Sequence, residues 1–114
     1  MPQHWTNISI GKTDFKICTL ANTRDKWICV QLFVYGTKSL ENFNKLRKLY
    51  ETSSKLEISE ELEWVEKNRK EHHVNYVIPN TNPTNKEDWN NQHSLLINWI
   101  GKFSNFFKDI VKML

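Results

Sequence analysis

The chain has 114 residues, a formal net charge of +3, two cysteines and five tryptophans. One domain spanning residues 1–114 is expected, since a chain this long buries a real core without disulfides or metals. Hydrophobic residues make up 39% and charged residues 25%, which is globular rather than disordered, and three glycines and three prolines exclude collagen-like and linker-like chains.

Residues Trp5 to Ile10 read as a strand, with Ile8 and Ile10 alternating against Asn7 and Ser9. Gly11-Lys12-Thr13 is a turn. Asp14 to Ala21 is a second strand, and Asn22-Thr23-Arg24-Asp25 a polar break. Lys26 to Tyr35 is a third strand with apolar residues on both faces, which predicts a central strand covered on both sides, or an interface on one. A loop centred on Thr23-Arg24 sets Phe15 opposite Leu32, Ile17 opposite Val30, Thr19 opposite Ile28 and Lys16 opposite Gln31. That register gives one apolar face. It also sets Cys18 opposite Cys29. Two buried thiols are the expectation there, because a redox pair would need a feature that lowers a thiol pKa.

Ser39 is a predicted N-cap, with Glu41 in the first turn. Leu40, Phe43, Leu46, Leu49 and Tyr50 follow at helical spacing, and the helix runs to about Lys55 or Ile58. Leu62 to Glu66 reads as a strand, residues 67–71 as a charged loop, and His72 to Ile78 as the next strand, with Trp64 opposite Val74. Pro79-Asn80-Thr81-Asn82-Pro83 is a loop. Thr84 and Glu87 have capping-box spacing. A long last helix follows, striped with Trp89, Gln92, His93, Leu96, Trp99, Ile100, Phe103, Phe106, Phe107, Ile110 and Met113. Its length calls for a bend at Gly101 or for a segment that overhangs onto a partner. The fold class is α+β: a mostly antiparallel sheet of about five strands packed by two helices, in the order β-β-β-α-β-β-α.

Catalytic motifs are missing. The adjacent His72 and His73 point to opposite faces of a strand and share no metal; His4 and His93 stand alone. No zinc, calcium or phosphate-loop spacing occurs. Gly11-Lys12-Thr13 matches only the tail of a phosphate-binding loop. Asp14-Phe15-Lys16 supplies one half of a metal-dependent nuclease signature, but the preceding strand offers only Asn7 where an acid is needed. A non-enzymatic protein without cofactor or metal is therefore expected. No run approaches the ~18 apolar residues of a membrane span, and no secretory signal is visible, so a cytoplasmic protein that uses no membrane is expected.

Two basic clusters are candidate nucleic-acid contacts, because lysine and arginine bind phosphates without reading sequence. One is Lys45, Arg47 and Lys48 on the first helix; the other is Lys67, Arg69, Lys70 and His72 beside the second hairpin. Trp99, Phe103, Phe106 and Phe107 are the candidate interface for a protein partner or a second copy, since they exceed what one small sheet needs.

The run Trp27-Ile28-Cys29-Val30-Gln31-Leu32-Phe33-Val34, a Phe-bearing helix, Leu62-Glu63-Trp64, Asp88-Trp89 and Asn98-Trp99-Ile100 with its Phe-rich end together resemble the bacterial domain-of-unknown-function family four-two-six-eight. The resemblance covers nearly the whole chain, and its motifs are aromatic and structural. Members are often found C-terminal to restriction-endonuclease-like domains. The resemblance therefore implies an accessory role near DNA-processing or defence systems. It carries over no catalytic residue. No nuclease-like domain precedes this copy, which leaves open a chain that stands alone and one excised from a larger protein.

Overall fold

Five strands and two long helices follow the expected order. The computed structural model describes residues 4–66 and 71–114, with side chains from residue 8 onward. The elements are β1 (His4–Ser9), β2 (Phe15–Asn22), β3 (Trp27–Tyr35), α1 (Ser39–Glu57), β4 (Glu63–Glu66), β5 (Glu71–Ile78) and α2 (Trp89–Lys112). The sheet order is β1-β2-β3-β5-β4, and every pairing is antiparallel. β3, the most apolar strand, is central. β4 is a four-residue edge carrying Glu63 and Glu66, and short charged edges resist pairing with other chains.

The β2–β3 register differs from the expected one by two residues. Phe15 faces Val34, Ile17 faces Leu32 and Thr19 faces Val30. Asn22 and Trp27 form the last pair, so the loop is Thr23–Lys26. The Asn22 side chain decides this: its Oδ1 accepts from the Asp25 N–H at 2.8 Å, an Asx-type turn. Lys26 closes the loop in the left-handed region, at φ 62°. A two-residue shift leaves every side chain on its original face, so the hydrophobic pattern is blind to it. Cys18 faces Gln31 and Cys29 faces Leu20, and both thiols are free and buried. The second hairpin has the expected register, with Trp64 opposite Val74.

Both helices pack on one face of the sheet. That face presents Ile28, Val30, Leu32 and Val34 of β3, Phe15 and Ile17 of β2, and Val74, Tyr76 and Ile78 of β5, all buried. From α1, Phe43 stacks on His72 at 5.0 Å between centroids and tilts against Trp64 at 5.8 Å. From α2, Phe107 meets Trp64 edge-on and Phe103 at its side. Phe43, Phe103 and Phe107 are fully buried, and truncating such a ring to alanine costs about 3–5 kcal/mol.

α1 starts at Ser39, with Lys38 at the capping position. At α2 the capping box does not form. The Thr84 hydroxyl donates to Asn82 Oδ1 at 2.7 Å, a short 3-10 turn spans Lys86–Asp88, and α2 begins at Trp89. Asp88 instead accepts from Gln92 Nε2 at 3.0 Å. The loop before α2 is pinned by Trp89 Nε1 donating to the Pro83 carbonyl and Gln92 Nε2 to the Asn82 carbonyl, both at 2.8 Å. α2 is one continuous helix of 24 residues, ~36 Å long. Its buried residues run from Gln92 to Val111, so it packs against the rest of the chain along its length and leaves no long overhang. Among the described residues no helix is long and apolar enough to cross a membrane.

Candidate functional site

Because α1 and α2 share one face, no helix among the described residues lies over the opposite face of the sheet. Strand alternation and register fix its composition. One row runs Ser9, Lys16, Phe33, His73, Val65 across β1-β2-β3-β5-β4. The next holds Cys18, Gln31, Asn75 and Glu63, and a third holds Leu20, Cys29 and Val77. Tyr35, beside Glu71, and Trp27, beside Asn22, lie at opposite ends of β3.

Small side chains line the middle of this face and large ones the flanks. Cys18, Cys29 and Gln31 are buried, whereas Leu20, Trp27, Phe33, Tyr35 and Val65 are half-buried and Val77 is exposed. Phe33 and Tyr35 lie two residues apart, with centroids 5.7 Å apart and planes tilted by 45°. The Lys16 ammonium sits 5.2 Å from the Phe33 ring and 5.4 Å from the Tyr35 ring, within cation–π reach of both. On the other flank of Phe33, His73 Nδ1 donates to Asn75 Oδ1 at 2.9 Å, which orients the imidazole. Burial pushes the Cys29 thiol up to about 12, with Cys18 and Glu63 adding to the rise. Burial also raises Cys18, and Lys16 opposes that. Neither thiol has the lowered pKa a nucleophile needs. The face is a shallow aromatic surface with a cation held over its rings.

The sequence-derived candidates are placed elsewhere. His72 is fully buried under α1 with no hydrogen bond to either ring nitrogen among the described residues. Strand alternation turns it to the helix side, which removes it from any phosphate contact. Lys45, Arg47 and Lys48 are exposed on α1, on the layer opposite the uncovered face. Arg47 pairs with Glu51 at 3.3 Å, and Lys55 takes the other carboxylate oxygen at 3.6 Å. Lys67, Arg69 and Lys70 lie outside the described residues. Of the interface candidates, Phe103 and Phe107 are core. Phe106 meets Tyr50 of α1 edge-on. Trp99 stacks on Tyr76 at 3.9 Å with Lys102 Nζ 4.1 Å above it. The aromatic excess of α2 is thus absorbed within the chain. Exposed apolar side chains on the helices include Leu40, Leu49 at 62%, Leu56 at 77% and Ile97 at 70% exposure. The uncovered face had one sequence signal, the apolar residues on both sides of β3.

No group of three or more potential metal ligands occurs among the described residues. No curated protein and no solved structure matches the chain. A family model does, over residues 1–111, and on that match the chain belongs to the domain of unknown function family DUF4268.

Proposed function

We propose that this chain is a non-enzymatic accessory domain that binds single-stranded nucleic acid on its uncovered sheet face. The observation that carries the reading is Phe33 and Tyr35 side by side on an open sheet, with the Lys16 ammonium 5.2 and 5.4 Å from their rings. Single-stranded nucleic acid is bound by stacking bases on aromatic rings while cations track the phosphates. A duplex keeps its bases paired and offers no ring face to a flat sheet, so the reading favours single strands. The modest net charge of +3 fits a site where stacking supplies much of the affinity.

Fluorescence anisotropy with a labelled single-stranded oligonucleotide of about ten nucleotides suits a site of this size. Binding that weakens with salt and exceeds duplex binding is the expected result. Tyr35→Ala, checked for unchanged folding by circular dichroism, then weakens binding roughly 5- to 150-fold, the loss of one base–aromatic stack. An absence of any anisotropy change at low salt contradicts the proposal.

A protein partner is the second reading, and the exposure of Leu49 and Leu56 on α1 favours it. These two are seven residues apart and share one helix face. Light scattering tests it: an assembly that Leu56→Glu disperses supports a helix-side interface, and a strict monomer with no stable complex counts against one. Phe107 is unsuited to that test, because a charge there is buried in the core.

A further inference from the structure

A cleft of about 500 Å³ opens at the end of the uncovered face, lined by Ser9, Gly11, Lys12, Thr13, Lys16 and Tyr35 among others. Lys16 and Tyr35 belong to both cleft and face, so the two surfaces are continuous. Two lysines line the cleft and a third lies against one of its lining residues. Lys12 and Lys16 line it. Lys112, in the last turn of α2, lies against Gly11: a Cβ added at Gly11 would meet Lys112 Cε at 3.2 Å and Nζ at 3.6 Å. Gly11 also has φ +82°, a left-handed backbone conformation that favours glycine at this turn.

Lysines line the cleft and, among the described residues, no acidic side chain does. No carboxylate among the described residues forms an ion pair with Lys12, Lys16 or Lys112. Asp14 turns its carboxylate toward Gly36. Lys12 Nζ donates to the Leu114 carbonyl at 3.4 Å, and the end of α2 supplies the negative end of a helix dipole. That dipole amounts to about half a unit charge. Hydroxyls of Ser9 and Thr13 in the same lining are of the type that completes an oxyanion's hydrogen bonds.

We infer that this cleft is a phosphate site, and that it holds a phosphoryl group of the strand whose base stacks on Tyr35. The inference rests on the stacking reading and adds to it a polarity: one phosphate is anchored at the Tyr35 end of the face. Lys12 and Lys112 are the test residues, because neither contacts the rings.

Anisotropy is measured with oligonucleotides carrying either a 5′-phosphate or a 5′-hydroxyl, across a salt series, on the wild-type chain and on a Lys12→Gln/Lys112→Gln double variant. In the double variant binding weakens about tenfold or more at low salt, and the salt slope shrinks by about 0.7, the value of one phosphate contact on a single strand. Lys12→Arg/Lys112→Arg restores both. A 5′-phosphate that helps the wild type but not the double variant identifies a terminal monoester in the cleft; equal binding of the two oligonucleotides identifies a backbone diester. A double variant with wild-type affinity and slope, where Tyr35→Ala still weakens binding, overturns the cleft and leaves the stacking face. Pyrophosphate, followed through the Gly11 and Thr13 amide resonances, separates the converse case. If it binds and no oligonucleotide does, the site is an anion cleft and the strand-binding inference is overturned; if neither binds, both readings fall.

Discussion

His72 is fully enclosed, stacks on Phe43, and has no hydrogen-bond partner at either ring nitrogen among the described residues. A buried polar group left unpaired costs about 1–3 kcal/mol, so the ring stays there for its shape. His72→Leu is of similar volume and removes the unpaired nitrogens. It is expected to raise the unfolding free energy by about 1 kcal/mol in urea denaturation; a loss of that size would show that the nitrogens are satisfied. Cys29 makes the opposite kind of statement. Its thiol is pushed up to about 12 from an ordinary 9.0, chiefly by burial. Between those values the unfolded chain releases the proton while the folded chain keeps it, so the unfolded state binds fewer protons and stability falls as pH rises. One such proton gives a slope of up to about 1.4 kcal/mol per pH unit. Stability curves from pH 9 to 11 for the wild type and Cys29→Ala should diverge by that slope, and parallel curves would mean the thiol ionises in the folded state. Side-chain identity alone could not anticipate either environment. The sequence shows that His72 and His73 point to opposite faces, but not which face the helices cover. The basic run that precedes them argued for the surface, whereas packing against Phe43 decided otherwise.

The elements themselves were legible, for reasons that differ. β5 shows strict alternation of buried and partly exposed positions, and α1 and α2 carry apolar stripes at helical spacing, so periodicity located all three. Capping was less legible. Asn82 captures the Thr84 hydroxyl, and competition of that kind between neighbouring short polar side chains has no periodic signature. The β2–β3 loop is the same case, decided by Asn22 and by a left-handed lysine. At Gly101 the sequence suggested a bend, but α2 runs through it unbroken. A Cβ there would meet nothing within 4 Å. Gly101→Ala is therefore expected to stabilise the chain by about 0.5–1 kcal/mol in thermal or urea unfolding, through helix propensity and a less flexible unfolded state. Destabilisation would indicate that the glycine serves a distortion or a contact.

At the scale of the whole molecule, both helices lie on one side of a five-stranded sheet. Four of the five tryptophans then have described places. Trp64 is in the core, Trp99 lies on Tyr76, and Trp89 anchors the loop before α2. Trp27 is half-buried on the uncovered face. The aromatic surplus read from composition is thus divided between a filled core and an open sheet surface, and the last helix is not where it emerges. Periodicity could identify β3 as two-sided but could not choose between a second covering layer and an exposed face, because both call for apolar residues. The central claim is that this face, with Lys16, Phe33 and Tyr35 at one end, is where single-stranded nucleic acid binds. Amide chemical-shift mapping during titration with a short single-stranded oligonucleotide tests it most directly. The account predicts that the largest changes fall on Lys16, Phe33, Tyr35 and His73 and on the Gly11–Thr13 turn. Changes confined to α1 around Leu49 and Leu56, or no changes at all, would contradict it.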